Sequence, residues 1–482
     1  MNIFDAIDEL DYITFEKCLK NVNIHNEDGL TPIMYSIKNL NYLYANFIFK
    51  KAKNIDITLT DKNGNDILFM AVCNNLIDFV EQACSYDISS IINKEHNGEY
   101  CITRACKNNN FDIIYELIKH GADINLIDKK TKMSCLMYAC KHGSRNIIKL
   151  LLDQPNINLN YTDNNQWTFI FYVINFCNLR IIRMLTRYNI NWNAQNKNGD
   201  TIMHLLCTYE KDMEIIFGIL QIFDNIVDFN IKNNDGNNCL MTFLSIYKND
   251  DDLTFDWNMY ESIVDYLAER VNINQSNNMN DRAITYLTFF DYAVPYTLSM
   301  ENAQKHFLNN YNQHLLHIAC EGVSYEFVNI LVEDKWFQKR INLVDKFNNT
   351  PLDYICSSKP NKLIDKYKLR GRLDIVKLLI KHGANVNNKN KPLFNAIRYN
   401  NTDIAIYLLE CGANPYFDKN NLGINALHIA NCQNNTKLIK HLVEKYKMNP
   451  FEEYDNELDS YGYAMMHNND KIIKYLENIN IV

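Results

Sequence analysis

The sequence lacks the features that would mark a membrane-spanning, secreted or nucleic-acid-binding protein. No apolar run in its 482 residues approaches the roughly 18–20 residues that a bilayer-spanning helix needs. The N-terminus, MNIFDAIDELDY, has neither the basic start nor the apolar stretch of a signal peptide. The net charge of −8 argues against the basic face of a general nucleic-acid binder. We therefore expect a cytoplasmic protein that is not secreted and binds neither membranes nor nucleic acids.

Local signatures of enzymes and metal sites are also missing. No Cys-x-x-Cys pair occurs among the 14 cysteines, so the usual zinc and redox spacings are absent. No glycine-rich phosphate loop, His-Glu-x-x-His or Gly-x-Ser-x-Gly motif is present. We therefore expect no catalytic residues, no metal ligands, no cofactor and no enzyme activity.

The sequence does contain an internal repeat. Ala105 in CITRACKNNN and Ala139 in CLMYACKHGS mark an interval of about 34 residues. Steps of similar length reach a comparable anchor residue along nearly the whole chain, with one weak anchor at Ala293. The anchors are Ala6, Ser36, Ala71, Ala105, Ala139, Val173, Leu206, Phe243, Ala293, Ala319, Ile355, Ala396, Ala430 and Ala464. This spacing predicts about fourteen repeats, several of them degenerate.

A second apolar segment keeps step with the anchors. Apolar pairs begin at Ile113, Ile147 and Ile181, each the same distance after its anchor, with a polar turn between. Apolar residues at i, i+3 and i+4 form one face of a helix, so each repeat reads as two short helices. Thr31 and Thr350 precede prolines and are predicted to cap first helices. Gly121, Gly383 and Gly412 are predicted to end second helices.

The pattern resembles the ankyrin repeat family, whose motif combines Thr-Pro-Leu-His-x-Ala, an Ile-Val-x-Leu-Leu helix and Gly-Ala-Asp-x-Asn. The segments NALHIANCQNN, RLDIVKLLIKHGANVN and DIIYELIKHGADIN carry the match. The resemblance implies an all-α repeat solenoid, a stack of helix-turn-helix units with short β-hairpin-like fingers. Long arrays in a chain rich in Asn, Ile, Lys and Tyr are similar to ankyrin-repeat proteins of giant DNA viruses of the mimivirus type, although an AT-rich protist source is the alternative. A viral source implies a role in the host cytoplasm.

Departures from the period suggest a division of the chain. We expect an N-terminal capping repeat at residues 1–28, regular repeats at 29–247, and an irregular region at 248–311 with an acidic insertion and one degenerate repeat. Regular repeats resume at 312–457, with a basic insertion near 357–371, and a capping repeat ends the chain at 458–482. The least regular stretch, from Asn272 to Asn312, could be a bend between two stacks or a long flexible excursion.

The two insertions and the tryptophans supply the candidate contact residues. The acidic insertion contributes Asp251, Asp252, Trp257 and Tyr260, and exposure of the two aromatic residues would favour binding, because interface hot spots are rich in aromatic side chains. The basic insertion contributes Lys366, Lys368 and Arg370. The alternative is that both insertions are solvated loops. Trp192 and Trp336 could contact a partner at finger tips or pack on the adjacent repeat.

Histidines and cysteines follow the repeat instead of forming a site. His204, His317 and His428 occupy one repeat position, where a histidine typically hydrogen-bonds neighbouring turns. Cys106, Cys140, Cys207, Cys320 and Cys356 each follow an anchor, and a reduced cysteine behaves as a small buried apolar group.

The leading functional hypothesis is a monomeric protein-binding scaffold. Stacked repeats present a concave surface of first helices and fingers, on which a protein partner of unknown identity would bind. The alternative is a substrate adaptor for a ubiquitin ligase, as some poxviral ankyrin proteins are through a C-terminal F-box-like segment. The C-terminus KIIKYLENINIV continues the repeat instead, which disfavours the adaptor.

Overall fold

The computed structural model describes residues 2–175, 178–208, 212–246, 256–288, 304–358, 371–416, 425–451 and 459–480. These residues form successive pairs of short helices, which confirms the all-α stack of helix-turn-helix units. The first helices are Ile3–Asp8, Pro32–Lys38, Ile67–Cys73, Cys101–Lys107, Cys135–Lys141, Phe169–Asn175, Ile202–Cys207, Cys239–Ile246, Ala283–Leu287, Leu315–Glu321, Pro351–Ser357, Lys391–Arg398, Ala426–Cys432 and Ser460–Met466. The second helices are Tyr12–Cys18, Tyr42–Lys51, Ile77–Cys84, Phe111–Lys119, Arg145–Leu152, Leu179–Leu185, Met213–Ile222, Trp257–Ala268, Tyr325–Glu333, Arg372–Lys381, Thr402–Glu410, Thr436–Tyr446 and Asp470–Asn480. A short extra helix spans Lys335–Gln338, and 3-10 turns span Leu19–Asn21 and Asn388–Asn390.

The chain divides into two compact units, Met1–Asn234 and Asp235–Val482, which we call the N-terminal and C-terminal units. In each, consecutive first helices pack on one another and second helices do the same. Strands are short where they occur. Glu95–His96 pairs antiparallel with Glu99–Tyr100, and single bridges join Ile127 to Ser134 and Tyr416 to Asn425. These pairs are the hairpin-like fingers.

The core lies between helices of the same and adjacent repeats. Every anchor except Ala293 falls in a first helix and is buried, and Ile113, Ile147 and Ile181 of the second helices are buried as well. Among the predicted core cysteines, Cys106, Cys140, Cys207, Cys320 and Cys356 are buried free thiols. Burial raises the pKa of the Cys140 and Cys320 thiols, which keeps them protonated and unreactive.

The helix ends follow the predicted capping chemistry. The Thr31 hydroxyl accepts from the Met34 amide, with Pro32 in the first turn. Thr350 and Asp353 form a reciprocal capping box. Gly121 and Gly383 adopt left-handed φ angles of 91° and 96° directly after their second helices, a conformation that favours glycine.

One repeat does not follow the predicted register. The weak anchor Ala293 lies outside the described residues, and the first helix of this repeat spans Ala283–Leu287 instead. This helix packs against the first helix Cys239–Ile246 of the preceding repeat. Leu287 is the fifth residue of this helix, the position that the anchor holds in the helices beginning at Cys101 and Cys135.

Side-chain amides join neighbouring repeats. The Asn125 Nδ2 donates to the Asn156 carbonyl at 2.7 Å, while its Oδ1 accepts from the Asn158 amide at 2.8 Å. We call this paired contact an Asn clamp, because one amide side chain reproduces both halves of a peptide hydrogen-bond pair. Equivalent clamps are made by Asn23, Asn93, Asn342 and Asn387.

We expect Asn125→Ala to lower the free energy of unfolding by about 1–2 kcal/mol, because both hydrogen bonds of one clamp are lost. Urea unfolding followed by circular dichroism measures the change. Asn125→Asp, which keeps the acceptor and loses the donor, should fall between Asn125→Ala and wild type. An Asn125→Ala loss no larger than that of Asn164→Ala, at an exposed finger position, would show that the clamp contributes nothing.

Candidate partner-binding surface

No charged candidate from the two insertions falls within the described residues. Asp251 and Asp252 lie outside the described residues, as do Lys366, Lys368 and Arg370. Trp257 begins the second helix Trp257–Ala268, six residues before the predicted start near Ile263. The longer helix takes up part of the acidic insertion, so the aromatic end of that segment is helical and not a loop.

Tyr260 lies inside this helix and is not exposed. Its side chain is 0% exposed. Its ring stacks on Phe243 of the first helix, with centroids 5.1 Å apart. Tyr260 therefore lacks the exposure that would have favoured a partner contact, because the helix turns this residue toward the core.

The two tryptophan candidates pack on neighbouring segments. Trp192 is buried and meets Phe223 of the next repeat edge-on, with centroids 4.9 Å apart. Trp336, in the short helix Lys335–Gln338, is half-buried and stacks on His306 at 5.1 Å. The Arg340 guanidinium lies 4.2 Å from the centre of the Trp336 ring. The sequence left open whether these tryptophans contact a partner or pack on adjacent structure, and both rings pack on adjacent structure.

The finger tips are built by a recurring turn that the sequence reading did not resolve. In the turn that begins at Asp345, the carboxylate Oδ1 accepts from the amides of Phe347 and Asn349, at 2.8 and 2.9 Å. The fourth residue, Asn348, adopts a left-handed φ of 59°. The same side-chain-to-backbone pattern begins at Asn26, Asp61, Asp163, Asn196, Asn277 and Asn309. We call each of these an Asx tip, since a local side chain fixes its backbone.

Adjacent Asx tips are joined through their backbones. In the C-terminal unit the Lys346 amide donates to the Tyr311 carbonyl at 2.9 Å, and the Asn310 amide donates to the Met279 carbonyl at 2.8 Å. The N-terminal unit repeats the contact between Lys197 and Asn165. The tips therefore form a fixed row within each compact unit, and a side chain at one tip has a set distance from its counterpart at the next.

The residue type at the third position of the Asx tips identifies a candidate surface that the sequence analysis did not predict. In the N-terminal unit this position holds Asp28, Asn63, Asn165 and Asn198. In the C-terminal unit it holds Met279, Tyr311 and Phe347. Tyr311 and Phe347 are 39% and 59% exposed, and their rings stack with centroids 5.9 Å apart. Aligning the tips within the sequence would have revealed this change from polar side chains to one methionine and two aromatic residues.

The tips are tied down beneath these rings. The Tyr354 hydroxyl, from the first helix Pro351–Ser357, donates to the Asp345 Oδ2 at 2.6 Å, and the Gln313 side-chain amide donates to the Tyr354 hydroxyl at 2.7 Å. Burial and the hydrogen bond to Asp345 raise the pKa of Tyr354, so its hydroxyl stays a donor. The aromatic pair is thus presented on a preorganised support.

The histidine position has a structural role, as expected for His317. The His317 Nε2 contacts the Leu343 carbonyl at 3.0 Å, and His314 Nε2 contacts the Arg340 carbonyl at 3.1 Å. His204 and His428 accept backbone amides of their own capping residues at Nδ1. Across the described residues, no group of three or more His, Cys, Asp and Glu side chains is placed to hold a metal ion. In the same part of the chain, no helix is long and apolar enough to cross a bilayer.

Comparison with known proteins gives one consistent result. A family model described as ankyrin repeats (3 copies) matches residues 68–163, 102–196, 136–221, 286–390 and 363–419, together more than half of the chain. An ankyrin repeat protein of Acanthamoeba polyphaga mimivirus is 23% identical over 335 residues, covering 64% of this chain and 41% of its own length. An ankyrin repeat protein of Fowlpox virus (strain NVSL) is 23% identical over 265 residues, covering 54% of this chain and 69% of its own. The chain thus spans about two fifths of the mimivirus relative.

Among solved structures, the ankyrin repeat domain of Bcl-3, a member of the IkappaB family, aligns with a TM-score of 0.39 and 16% identity. The alignment covers 46% of this chain and 98% of that domain.

We expect acid to destabilise the fold before it titrates the ordinary carboxylates. Burial and, second, the neighbouring His317 lower the pKa of His314 to about 3, and burial lowers that of His317 to about 4. From about pH 6.5 downward the unfolded chain binds protons at these imidazoles while the folded chain does not. The free energy of unfolding should therefore decrease as the pH is lowered, by up to about 1.4 kcal/mol per pH unit for each imidazole.

Urea unfolding at pH 7 and pH 5 tests this, comparing wild type with His314→Asn/His317→Gln and with His142→Gln at an exposed position. The double variant should lose less stability between the two pH values than wild type and the His142 control. Equal losses in all three proteins would contradict a titration at the buried pair.

Proposed function

Because the chain belongs to the ankyrin repeat family, we propose that it is a non-enzymatic scaffold that binds a partner protein on its first-helix and finger surface. Repeat stacks of this kind offer extended binding surfaces in which each repeat contributes a few side chains. The observation that carries the proposal is the exposed Tyr311–Phe347 stack at two adjacent Asx tips. Aromatic anchors are enriched where protein interfaces gain most of their binding energy.

The aromatic stack has the properties of a contact site and not of a core. Its rings stand on turns fixed by side-chain hydrogen bonds and joined by a backbone hydrogen bond, so a partner would order little on binding. Phe347 is more than half exposed, although the same slot holds asparagine at three other tips, Asn63, Asn165 and Asn198. The Phe347 ring is not needed to hold the turn, which the Asp345 carboxylate fixes. Burial under a partner would remove the ring from water, which is favourable.

We further propose that the chain is viral and that its partner is a host protein in the cytoplasm. Relatives from two viruses support the source, and the absence of enzyme signatures supports a binding role. The insertion residues Asp251, Asp252, Lys366, Lys368 and Arg370 stay proposed secondary contacts, as does Trp257. A role as a substrate adaptor for a ubiquitin ligase is the alternative within the same binding function.

We expect Tyr311→Asn/Phe347→Asn to abolish capture of the principal partner without harming the fold. Asparagine already occupies this slot at other tips, so the turns should persist, while loss of two aromatic anchors should weaken binding by at least about 2 kcal/mol. Quantitative mass spectrometry of proteins captured by tagged wild-type and variant chains measures the effect, with unfolding midpoints as the fold check.

The control is Asn165→Ser/Asn198→Ser at the equivalent tips of the N-terminal unit. A captured protein that is retained by this control and lost with the aromatic variant supports the proposal. If every captured protein is retained by the aromatic variant, the tip stack is not the binding site. Ligase subunits among the specifically lost proteins would favour the adaptor alternative.

A further inference from the structure

Two leucines occupy a backbone conformation that most other described repeats assign to asparagine or glycine, with Val323 as a further exception. The turn between the two helices of a repeat contains one residue with positive φ, and in most described repeats that residue is small or amide-bearing: Asn75, Asn109, Gly143, Asn400, Asn434 and Asn468. In the first two repeats it is Leu10, with φ 56°, and Leu40, with φ 62°. Left-handed backbone is unfavourable for a side chain such as leucine.

Both leucines are mostly exposed to solvent within the described chain. Leu10 is 65% exposed and Leu40 is 67% exposed. Each leucine is both strained and exposed, at a turn position where other repeats have asparagine. Such a residue indicates a role outside the folded monomer.

Further apolar side chains continue along the same side of the N-terminal unit. Ile13 and Leu43 lie in the first turn of their second helices, and Leu43 is 84% exposed. Two repeats later, Phe111 and Tyr115 are exposed and stack on each other with centroids 6.3 Å apart. We call this side the turn edge: the inter-helix turns and the start of the second helices in the first five repeats.

Contacts between successive repeats make the turn edge continuous. Tyr12 meets Phe47 with centroids 4.9 Å apart, and Tyr42 meets Phe79 at 5.9 Å. Farther along, the Asn108 Nδ2 donates to the Asn75 Oδ1 at 3.1 Å. A shallow groove lies between Phe111 and Arg145 at the far end.

The two ends of the turn edge carry opposite charges. The first repeat exposes Asp8 and Glu9, and the fifth repeat exposes Lys141 and Arg145. Within the part of the chain that the structure describes, no ion pair involves these four residues. Between the ends, the second repeat exposes Lys38 and the fourth exposes Asp112.

We propose that the turn edge is the interface of a twofold-symmetric dimer of this chain. A twofold axis at the third repeat brings the first repeat of one copy to the fifth repeat of the other, so Asp8 and Glu9 face Lys141 and Arg145. The same axis brings Leu40 and Leu43 onto Phe111 and Tyr115. A twofold interface must be complementary to itself. Here the first and fifth repeats carry opposite charges, the exposed apolar side chains of the second and fourth repeats meet, and Leu10 of the first repeat meets the groove beside Phe111 and Arg145.

The partner on the turn edge is a second copy of this chain, because the acidic end of one copy lies against the basic end of the other when the two copies run antiparallel. This dimer departs from the monomer expected from sequence. It uses no finger-tip residue, so it is independent of the proposed partner site and its failure would leave that proposal standing.

The first test is sedimentation equilibrium of the full chain over a range of concentrations. Wild type should show a reversible monomer–dimer equilibrium. Leu10→Asn/Leu40→Asn should raise the dimer Kd by at least about tenfold, since two exposed apolar contacts are lost. Its unfolding midpoint at monomeric concentrations should be equal to or above that of wild type, because asparagine tolerates the left-handed turn.

The matched control is Val323→Asn, which changes a left-handed residue of the C-terminal unit and should leave the dimer Kd unchanged. A wild-type chain that stays monomeric at every concentration overturns the proposal. So does a Leu10→Asn/Leu40→Asn variant that dimerises as wild type does.

The second test exchanges the charges. Asp8→Lys/Glu9→Lys and Lys141→Glu/Arg145→Glu should each weaken self-association by at least about tenfold at low salt. An equimolar mixture of the two should form a heterodimer, because one variant has two basic ends and the other has two acidic ends, so opposite charges meet at both ends of the interface. No association in the mixture, when both variants are folded, contradicts the antiparallel arrangement.

Discussion

The architecture depends on side chains that stand in for peptide groups between repeats. Each repeat buries one apolar face against its neighbour, and that burial is non-directional, so it does not set the spacing or tilt of successive repeats. At its five described junctions, the Asn clamp sets them, since its two hydrogen bonds require the neighbouring backbone at a defined position. The tip-to-tip backbone bonds impose the same constraint at the other side of the repeat. Core and clamp together produce a rigid row of turns, and only on such a row can two rings such as Tyr311 and Phe347 hold their separation.

The repeat could be predicted from sequence because its determinants are local. An anchor, an apolar helix face, a threonine before proline and a glycine after the second helix each act within a few residues. They agree on one register, so the confirmed elements include nearly every anchor and the caps at Thr31 and Thr350. Predictions failed where the local signal was absent. The helix containing Tyr260 begins at Trp257, within an apparent insertion and ahead of the apolar pair at Ile263 that the sequence pattern marks.

The candidate surface was less predictable because exposure is not a local property. Tyr260 and Phe347 are both aromatic residues in polar surroundings in the sequence, yet one is fully buried and the other is mostly exposed. What separates them is position within a repeat: Tyr260 follows the second-helix face, whereas Phe347 is the third residue of an Asx tip. Comparing equivalent slots in one chain recovers this distinction. The same comparison marks Leu10 and Leu40, whose chemistry differs from the asparagines that share their backbone geometry.

The Asn clamp has a consequence for how such arrays change over generations. It contacts only the main chain of the next repeat, so it is indifferent to which side chains that repeat carries. Duplication or deletion of a whole repeat therefore restores a working joint at once, with no compensating substitution. The slots that face solvent are released from this constraint and are free to diverge. An array built in this way can lengthen by gene duplication while each copy acquires its own surface.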